Sequence, residues 1–151
     1  MTPGANSQRC SPPYVQLPVR QWDVQRLPRL LFWKALLGLF AFDVLGFGSD
    51  FARMHRVVSC WKVASKTVLV GAVDLVCEAV NHACMWYPKR VLCLQRSAVT
   101  TCLLRHCGLP AQMVMGTQTL PFKAHAWTEV HGCVINERRD VQSLYSVWER
   151  C

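Results

Sequence analysis

The sequence predicts an α+β fold, in which helices come first and a small antiparallel sheet follows. Apolar side chains recur at helical spacing as far as Cys107, and beyond Gly108 they recur at every second position. Gly108 and Pro110 are residue types expected where the last of these helices ends. The 151 residues suffice for one domain, since two domains of ordinary size need a longer chain.

Residues 1–28 are predicted to be an extended arm. They contain five of the eight prolines and show no periodic apolar pattern. Such a composition is typical of a segment with little structure of its own. Residues 29–151 are then predicted to form a single domain.

The first helix is predicted from about Pro28 to Leu45, because proline suits the first turn of a helix. The apolar run over residues 30–47 raises the question of a membrane span, but Lys34 and Asp43 interrupt it. A span needs about 20 apolar residues with few charges. We therefore expect a largely buried helix, with docking on a membrane surface or on a partner as the lesser alternative.

Three further helices follow at the same apolar period. Ser49 or Asp50 is expected to cap the second helix, Thr67 opens the third, and the fourth runs from about Cys93 to Cys107. The residues that line the apolar face are Phe51, Met54, Val58 and Trp61 in the second helix, and Leu69, Ala72, Val73, Val76 and Val80 in the third.

The two-residue period beyond Gly108 predicts three strands, over 111–117, 125–130 and 133–137. Gly132 joins the last two strands as a hairpin. The tail from Val141 to Cys151 is predicted to be a short helix.

The chain is basic, with 17 Lys and Arg against 9 Asp and Glu and a net charge of +8. This balance favours an acidic partner, such as a peptide, a protein face, a membrane or a nucleic acid. A solvated basic surface is an equally good explanation, because the charges are spread along the chain.

The nine cysteines are odd in number, form no C-x-x-C pair and follow no secretion signal. These features favour reduced thiols and a cytoplasmic location. The set Cys102, Cys107, His131 and Cys133 has the spacing of no common zinc site. We therefore expect neither a metal nor a cofactor.

Three residues carry the functional prediction. Cys93 is placed at the start of the fourth helix, His125 on the second strand and Glu137 at the end of the third. Unpaired amides at a helix start favour a thiolate. A thiol, an imidazole and a carboxylate are the parts of a cysteine nucleophile with its base.

The length of the hairpin turn decides which residue supports His125. A three-residue loop over 130–132 places Glu137 opposite His125, whereas a two-residue turn places Asn136 on the face of His125. Asp140 is a further alternative for the acid. The backbone N–H of Cys93 is a natural oxyanion donor. The second donor is not determined by the sequence, and Trp86 and Gln95 are guesses.

The stretch from Trp86 to Glu137 resembles the transglutaminase-like cysteine peptidases of lasso-peptide biosynthesis, the leader-cleaving B proteins. The resemblance is carried by residues 93–97, 103–111, Gly116, 121–122, 125–129, Gly132 and 134–136. It implies a papain/transglutaminase-like fold and a triad at Cys93, His125 and Glu137. The family usually has aspartate at the acid position, where this chain has Glu137.

The resemblance also implies a function and its partners. The expected activity is that of a cysteine endopeptidase, which cuts a ribosomally made lasso-peptide precursor between leader and core. An ATP-dependent lasso cyclase would then close the ring of the core. Because residues 1–28 are too short and proline-rich for a leader-recognition domain, the expected partner is a separate leader-binding protein.

Other functions compete with this one. The same fold and triad can run other thiol-dependent acyl transfer, as in transglutaminases or arylamine acetyltransferases. A non-catalytic peptide-binding module would keep the fold with an idle thiol. A nucleic-acid binder agrees with the net charge, but the sequence has no motif or basic-aromatic stripe for it, and none is expected as a partner.

Overall fold

A computed structural model of the chain describes residues 23–46, 51–65, 71–138 and 140–151. In chain order the elements are α1 (Asp23–Gly46), α2 (Phe51–Cys60), α3 (Ala72–Trp86), α4 (Cys93–His106), β1 (Ala111–Thr119), β2 (Phe122–Val130), β3 (Cys133–Ile135), α5 (Val141–Leu144) and β4 (Ser146–Arg150). The strands form one antiparallel sheet in the order β3-β2-β1-β4. The predicted α+β class is confirmed.

Helix α1 begins at Asp23, before the predicted start at Pro28. A proline lacks the N–H that would bond to the carbonyl four residues earlier. Pro28 is the sixth residue of the helix, so one backbone hydrogen bond is missing close to the helix start and the rest of the helix is unaffected. The helix thus extends into the predicted arm, and residues 1–22 lie outside the described part of the chain.

Helix α1 has one buried and one exposed apolar face. The buried face packs into the main core through Leu31, Ala35, Leu39 and Phe42. Five large side chains at alternating spacings of three and four stay exposed, and we name them the α1 stripe: Leu30, Trp33, Leu37, Phe40 and Val44. The prediction of a largely buried helix is therefore wrong for this second face. No helix in the described ranges is long and apolar enough to cross a membrane.

Helix α4 lies between the other helices and the sheet, and its buried residues include polar ones. Arg105 holds its last turn in place by donating to three backbone carbonyls. Nη1 donates to Val58 O (2.6 Å) and Trp61 O (3.0 Å), and Nε donates to Ala111 O (2.7 Å). One guanidinium therefore joins α4 to the end of α2 and to the first residue of β1.

The tail differs from the prediction of a short helix. Only Val141–Leu144 is helical, and Ser146–Arg150 forms β4, which pairs with β1 across a bulge between Met115 and Gly116. The open edge of β1 offers backbone hydrogen bonds that a short terminal helix would lack. This long-range pairing outweighs local preference.

Candidate active site

A cavity of about 170 Å³ lies where the start of α4 meets β2 and the end of β3. Its wall contains all three residues of the predicted triad, Cys93, His125 and Glu137. The described residues record a direct contact between His125 and Glu137, and no hydrogen bond between the thiol and the imidazole. The structure thus brings the three side chains into one cavity.

Cys93 is the first residue of α4, as the sequence predicted. The N-cap is Leu92, which has no side-chain oxygen to offer to the helix. The first helical hydrogen bond runs from Arg96 N to Leu92 O (3.0 Å). The amides of the first turn are therefore free of a side-chain cap, and they direct positive partial charge towards the thiol.

Asp43 of α1 fixes the segment that leads into this helix. Its carboxylate accepts hydrogen bonds from Lys89 Nζ (2.6 Å) and Gln95 Nε2 (3.3 Å). The hydrogen bond from Lys89 is the main cause that lowers the pKa of Asp43. Lys89, four residues before Cys93, therefore forms an ion pair with Asp43.

The side chain of Gln95 is occupied by this arrangement. Its Oε1 accepts the backbone N–H of Leu92 (3.1 Å) while Nε2 faces Asp43. Trp86 is 76% exposed and lines a different groove, beside α1. Neither guess for the second oxyanion donor is therefore at the cavity in this structure.

His125 is oriented by a carboxylate at one ring nitrogen and by two aromatic rings packed beside the imidazole. Nε2 lies 3.3 Å from Glu137 Oε2, which leaves Nδ1 as the ring nitrogen available to the thiol. The rings of Tyr145 and Trp127 pack beside the imidazole, with centroids at 5.3 and 6.3 Å from it and 6.2 Å from each other, so the three rings form one cluster. An imidazole held on these sides has a defined direction in the cavity.

Gly116 lies opposite His125 on β1 and makes room for these aromatic rings. A Cβ at this position would lie 2.9 Å from Tyr145 Cβ and 3.0 Å from both Ser146 O and a ring carbon of Trp127. The first distance is shorter than real Cβ atoms show, and the other two are tighter than nine in ten real Cβ contacts. The glycine is therefore needed for the packing that supports the imidazole.

The hairpin has the shorter of the two turns that the sequence allowed. Val130 pairs with Cys133 and Glu129 with Val134, so His131 and Gly132 form a two-residue turn, both with positive φ. The three-residue loop that would have placed Glu137 opposite His125 is wrong.

Glu137 nevertheless reaches His125, for a different reason. Strand β3 ends at Ile135, and Asn136 has a φ of 58°, in the left-handed region. This residue turns the chain out of the strand, so that the alternation of strand faces no longer applies to Glu137.

The two other candidates for the third triad residue, Asp140 and Asn136, do not contact His125. Asp140 lies at the surface, where it pairs with Arg138 at 2.8 and 3.2 Å. Asn136 lines the cavity, but its Nδ2 is buried without a hydrogen-bond partner. Among the three alternatives, the observed contact therefore favours Glu137.

A row of hydrogen bonds joins the helix of Cys93 to the strand of His125. Ser97 Oγ donates to Ala126 O (2.9 Å), and Thr128 Oγ1 lies 3.2 Å from both Thr101 Oγ1 and Ser97 O. Because these groups are buried, their loss would leave unsatisfied polar atoms. These hydrogen bonds fix α4, which begins with Cys93, relative to β2, which contains His125.

A buried carboxylate, Glu129, lies two positions beyond Trp127 on the same face of β2. It accepts hydrogen bonds from Trp127 Nε1 and Gln142 Nε2, both at 2.8 Å, and pairs with Arg150. Burial by itself raises the pKa of Glu129, but the hydrogen bonds from Gln142, Trp127 and Arg150 outweigh it and leave the pKa below its ordinary value. The sequence analysis missed this network, although the alternation His125, Trp127, Glu129 indicates it.

Arg96 is the other residue that the sequence analysis missed. It lies one turn after Cys93, and its Nη2 donates to Asn81 Oδ1 (2.9 Å) and Asn136 O (3.1 Å). It thereby attaches the residue before Glu137 to the nucleophile helix. Its position three residues from Cys93 was the available signal, because such residues share a helix face.

Cys60, Cys77, Cys84, Cys93, Cys102 and Cys151 are free thiols, whereas Cys133 takes part in a disulfide bond. Cys133 is therefore an exception to the expected reduced thiols. Burial raises the pKa of Cys77 to about 11 and that of Cys102 to about 12, so both are poor nucleophiles at neutral pH. Within the described ranges, no group of three or more His, Cys, Asp or Glu side chains is placed to hold a metal ion.

Comparison with known protein families matches residues 46–149, more than half of the chain, to the family described as Transglutaminase-like superfamily. The match covers α2, α3, α4 and the whole sheet. No curated protein and no solved structure matches the chain.

Proposed function

The chain belongs to the transglutaminase-like superfamily, and from this premise we propose that it is a cysteine endopeptidase that removes the leader from a lasso-peptide precursor. The observation that carries the proposal is the cavity shared by Cys93, His125 and Glu137, with the imidazole in contact with the acid. The family match supports thiol-dependent chemistry in general. The resemblance in residues 86–137 supports the specific substrate.

In the proposed mechanism, Nε2 of His125 binds Glu137 and Nδ1 transfers the protons. Nε2–H donates to Glu137, so the neutral ring presents the lone pair of Nδ1, which takes the thiol proton of Cys93. The thiolate attacks the carbonyl carbon of the scissile peptide bond. The backbone N–H of Cys93 stabilises the resulting oxyanion.

Collapse of this intermediate breaks the C–N bond. Nδ1–H passes its proton to the leaving amine, which is the new N-terminus of the core, and the leader stays as a thioester on Cys93. Water then gives a proton to Nδ1 and attacks the thioester. The leader leaves with a free carboxylate, and the thiol is restored.

Without substrate, the thiol and the imidazole share the cavity but are not hydrogen-bonded. Catalytic hydrogen bonds are often long in a free enzyme and shorten in the substrate complex. Binding of the precursor would therefore bring Nδ1 and the sulfur together. The contact between His125 and Glu137 is already present.

A separate leader-binding protein is the proposed partner, alongside the precursor peptide and the ATP-dependent cyclase. The α1 stripe is its proposed docking face, since five exposed apolar residues at spacings of three and four match the face that one helix presents to another. A cavity of about 170 Å³ holds only a few atoms on either side of a peptide bond. Recognition of one precursor therefore needs additional surface, which a bound partner supplies at high local concentration.

The test is cleavage of the precursor by wild-type protein and by Cys93→Ala, followed by mass spectrometry of both fragments. We expect Cys93→Ala to lower the rate by roughly 10³-fold or more, because no other group forms the thioester. Cys60→Ala is the matched control, since Cys60 is an exposed free thiol outside the cavity. Cleavage that survives in Cys93→Ala would refute the proposal.

The same experiment separates hydrolysis from acyl transfer. With a competing amine in the reaction, a peptidase yields mainly the free leader acid, whereas a transglutaminase-like enzyme yields the leader amide. Fast amide formation would place the protein among the acyltransferases, with the same three residues in the same roles.

A further inference from the structure

The wall of the cavity between Cys93 and Glu137 contains N–H donors that the protein leaves unused. Arg96 engages Asn81 and Asn136 through Nη2 alone. Its Nε and Nη1 make no hydrogen bond within the described residues, and no carboxylate there lies within ion-pair distance of the guanidinium. A partly buried arginine with only neutral partners keeps its attraction for an anion.

Asn136 is the second unused group in this wall. Its side-chain amide has no hydrogen bond at either end within the same described residues, and Nδ2 is buried without a partner. Rotation about χ2 exchanges the nitrogen and the oxygen, and it breaks no hydrogen bond to the protein. The backbone carbonyl of Asn136 accepts a hydrogen bond from Arg96, and both residues line the same cavity.

We propose that Arg96 and Asn136 form a subsite for a carboxylate of the substrate, next to the bond that is cut. The inference rests on the proposed function and adds the chemistry of the substrate residue that the cavity selects. A carboxylate accepts several hydrogen bonds at once and matches the planar guanidinium. Glu137, the only carboxylate in the described wall of the cavity, is engaged with His125.

The size and charge of the site agree with such a ligand. A volume of about 170 Å³ is sufficient for a carboxylate on a short stem. The net charge of +8 attracts anionic peptides to the molecule as a whole. An acidic side chain or a chain-terminal carboxylate carries the group in question, and peptides that differ only in this feature distinguish the two sources.

The experiment compares the alkylation of Cys93 by iodoacetate and by iodoacetamide, which differ in the carboxylate. In both reactions the thiolate forms a bond to carbon and iodide leaves, so no peptidase turnover is needed. Cys60 on the same molecule gives the reference ratio for an exposed thiol. We expect the iodoacetate to iodoacetamide rate ratio at Cys93 to exceed that at Cys60 by roughly tenfold.

Variants assign the preference to the proposed groups. Arg96→Gln should bring the ratio at Cys93 close to that at Cys60, whereas Arg96→Lys keeps the charge and should retain much of the preference. Asn136→Gly removes the amide at a position whose φ of 58° suits glycine, and it should lower the ratio in part. Thermal unfolding of each variant shows whether it is folded, and Arg96→Lys and Asn136→Gly decide the question if Arg96→Gln is not.

Two results would overturn the inference: a wild-type ratio at Cys93 no higher than at Cys60, or an unchanged ratio in folded Arg96→Gln. The second would assign the preference to another group near Cys93. Failure of the proposed function looks different. In that case Cys93 would alkylate no faster than Cys60 with iodoacetamide, and His125→Ala would not slow it.

Discussion

At the scale of single residues, His125 gathers the contacts that decide what the cavity can do. Glu137 contacts one ring nitrogen, Tyr145 and Trp127 pack beside the ring, and the second nitrogen remains for the thiol. A base needs both an orientation and a free lone pair. These contacts orient the imidazole and leave the lone pair of its second nitrogen free.

Glu137→Gln is expected to lower kcat/KM for precursor cleavage by roughly 10- to 100-fold, and His125→Ala by more. An orienting acid improves the base, whereas the base itself carries the protons. Asp140→Asn is the matched control, because Asp140 pairs with Arg138 at the surface. A large loss in Asp140→Asn together with a silent Glu137→Gln would reassign the acid.

The pKa of Glu129 predicts how stability depends on pH. Since this pKa is lower in the folded protein than its ordinary value of 4.5, the stabilisation is present above about pH 4.5 and is lost as the pH falls below it. Glu129→Gln should lower the free energy of unfolding at pH 7 by roughly 1–3 kcal/mol, because Arg150 is partly exposed and solvent screens the pair.

Urea unfolding of wild type and Glu129→Gln between pH 3 and pH 7 tests this. The difference between the two proteins should shrink towards acid pH. A difference that stays constant over the whole range would mean that the carboxylate does not contribute through its charge.

At the scale of elements, the site depends on how closely strands and helices approach one another. Gly116 leaves room for Tyr145 and Trp127 to pack beside the imidazole of His125. Ser97 and Thr101 form hydrogen bonds that hold α4 on β2. Small residues at these points have a positional role, because a larger side chain would separate the two elements.

Gly116→Ala is expected to destabilise the protein by roughly 1–3 kcal/mol and to lower the rate of cleavage as well. The added Cβ meets the backbone oxygen of Ser146 at 3.0 Å, and backbone cannot move aside as a side chain can. Gly38→Ala is the control: its Cβ meets only the methyl groups of Val99, at 3.2 and 3.3 Å, and alanine favours the helix. Equal losses in both variants would contradict the role given to Gly116.

Local pattern predicted the elements better than it predicted their ends. The helical period fixed α4 and its first residue Cys93, and the two-residue period indicated β1 and β2. β4 was missed because it depends on pairing with β1, which lies far away in the sequence. Contact between Glu137 and His125 was predicted through the wrong register, since no sequence rule shows that Asn136 leaves the strand with positive φ.

At the scale of the whole molecule, the cavity that contains Cys93 and the α1 stripe are separate features around one core. Leu31, Ala35, Leu39 and Phe42 connect α1 to that core from behind the stripe. The exposed side chains of the stripe are not in the wall of the cavity. Binding of a partner at the stripe and chemistry at Cys93 can therefore be perturbed one at a time.

Leu37→Glu is expected to reduce the stimulation of cleavage by the leader-binding partner by roughly tenfold or more, because a charge would be buried in the contact. Alkylation of Cys93 should not change. Ala35→Glu is unsuitable as a control, because Ala35 is fully buried. Arg29→Glu is suitable, because it places a negative charge near the stripe at an exposed position without replacing an apolar residue. Deletion of residues 1–22 tests the predicted arm in the same assay. Efficient, site-specific cleavage without any partner would contradict the proposal that recognition of the precursor depends on a partner bound at the α1 stripe.

The guanidinium of Arg105 gives the molecule an uneven response to acid. The acceptors that Arg105 uses to join α2, α4 and β1 are backbone carbonyls, which acid does not neutralise. The sheet that carries His125 is instead held by Glu129, a group that acid neutralises. Acidification should therefore weaken the sheet, and the contacts of Asp43 with Lys89 and Gln95 at the start of α4, before it affects the hydrogen bonds of Arg105. The first product would be an inactive intermediate that retains its helical circular dichroism and recovers activity on return to neutral pH.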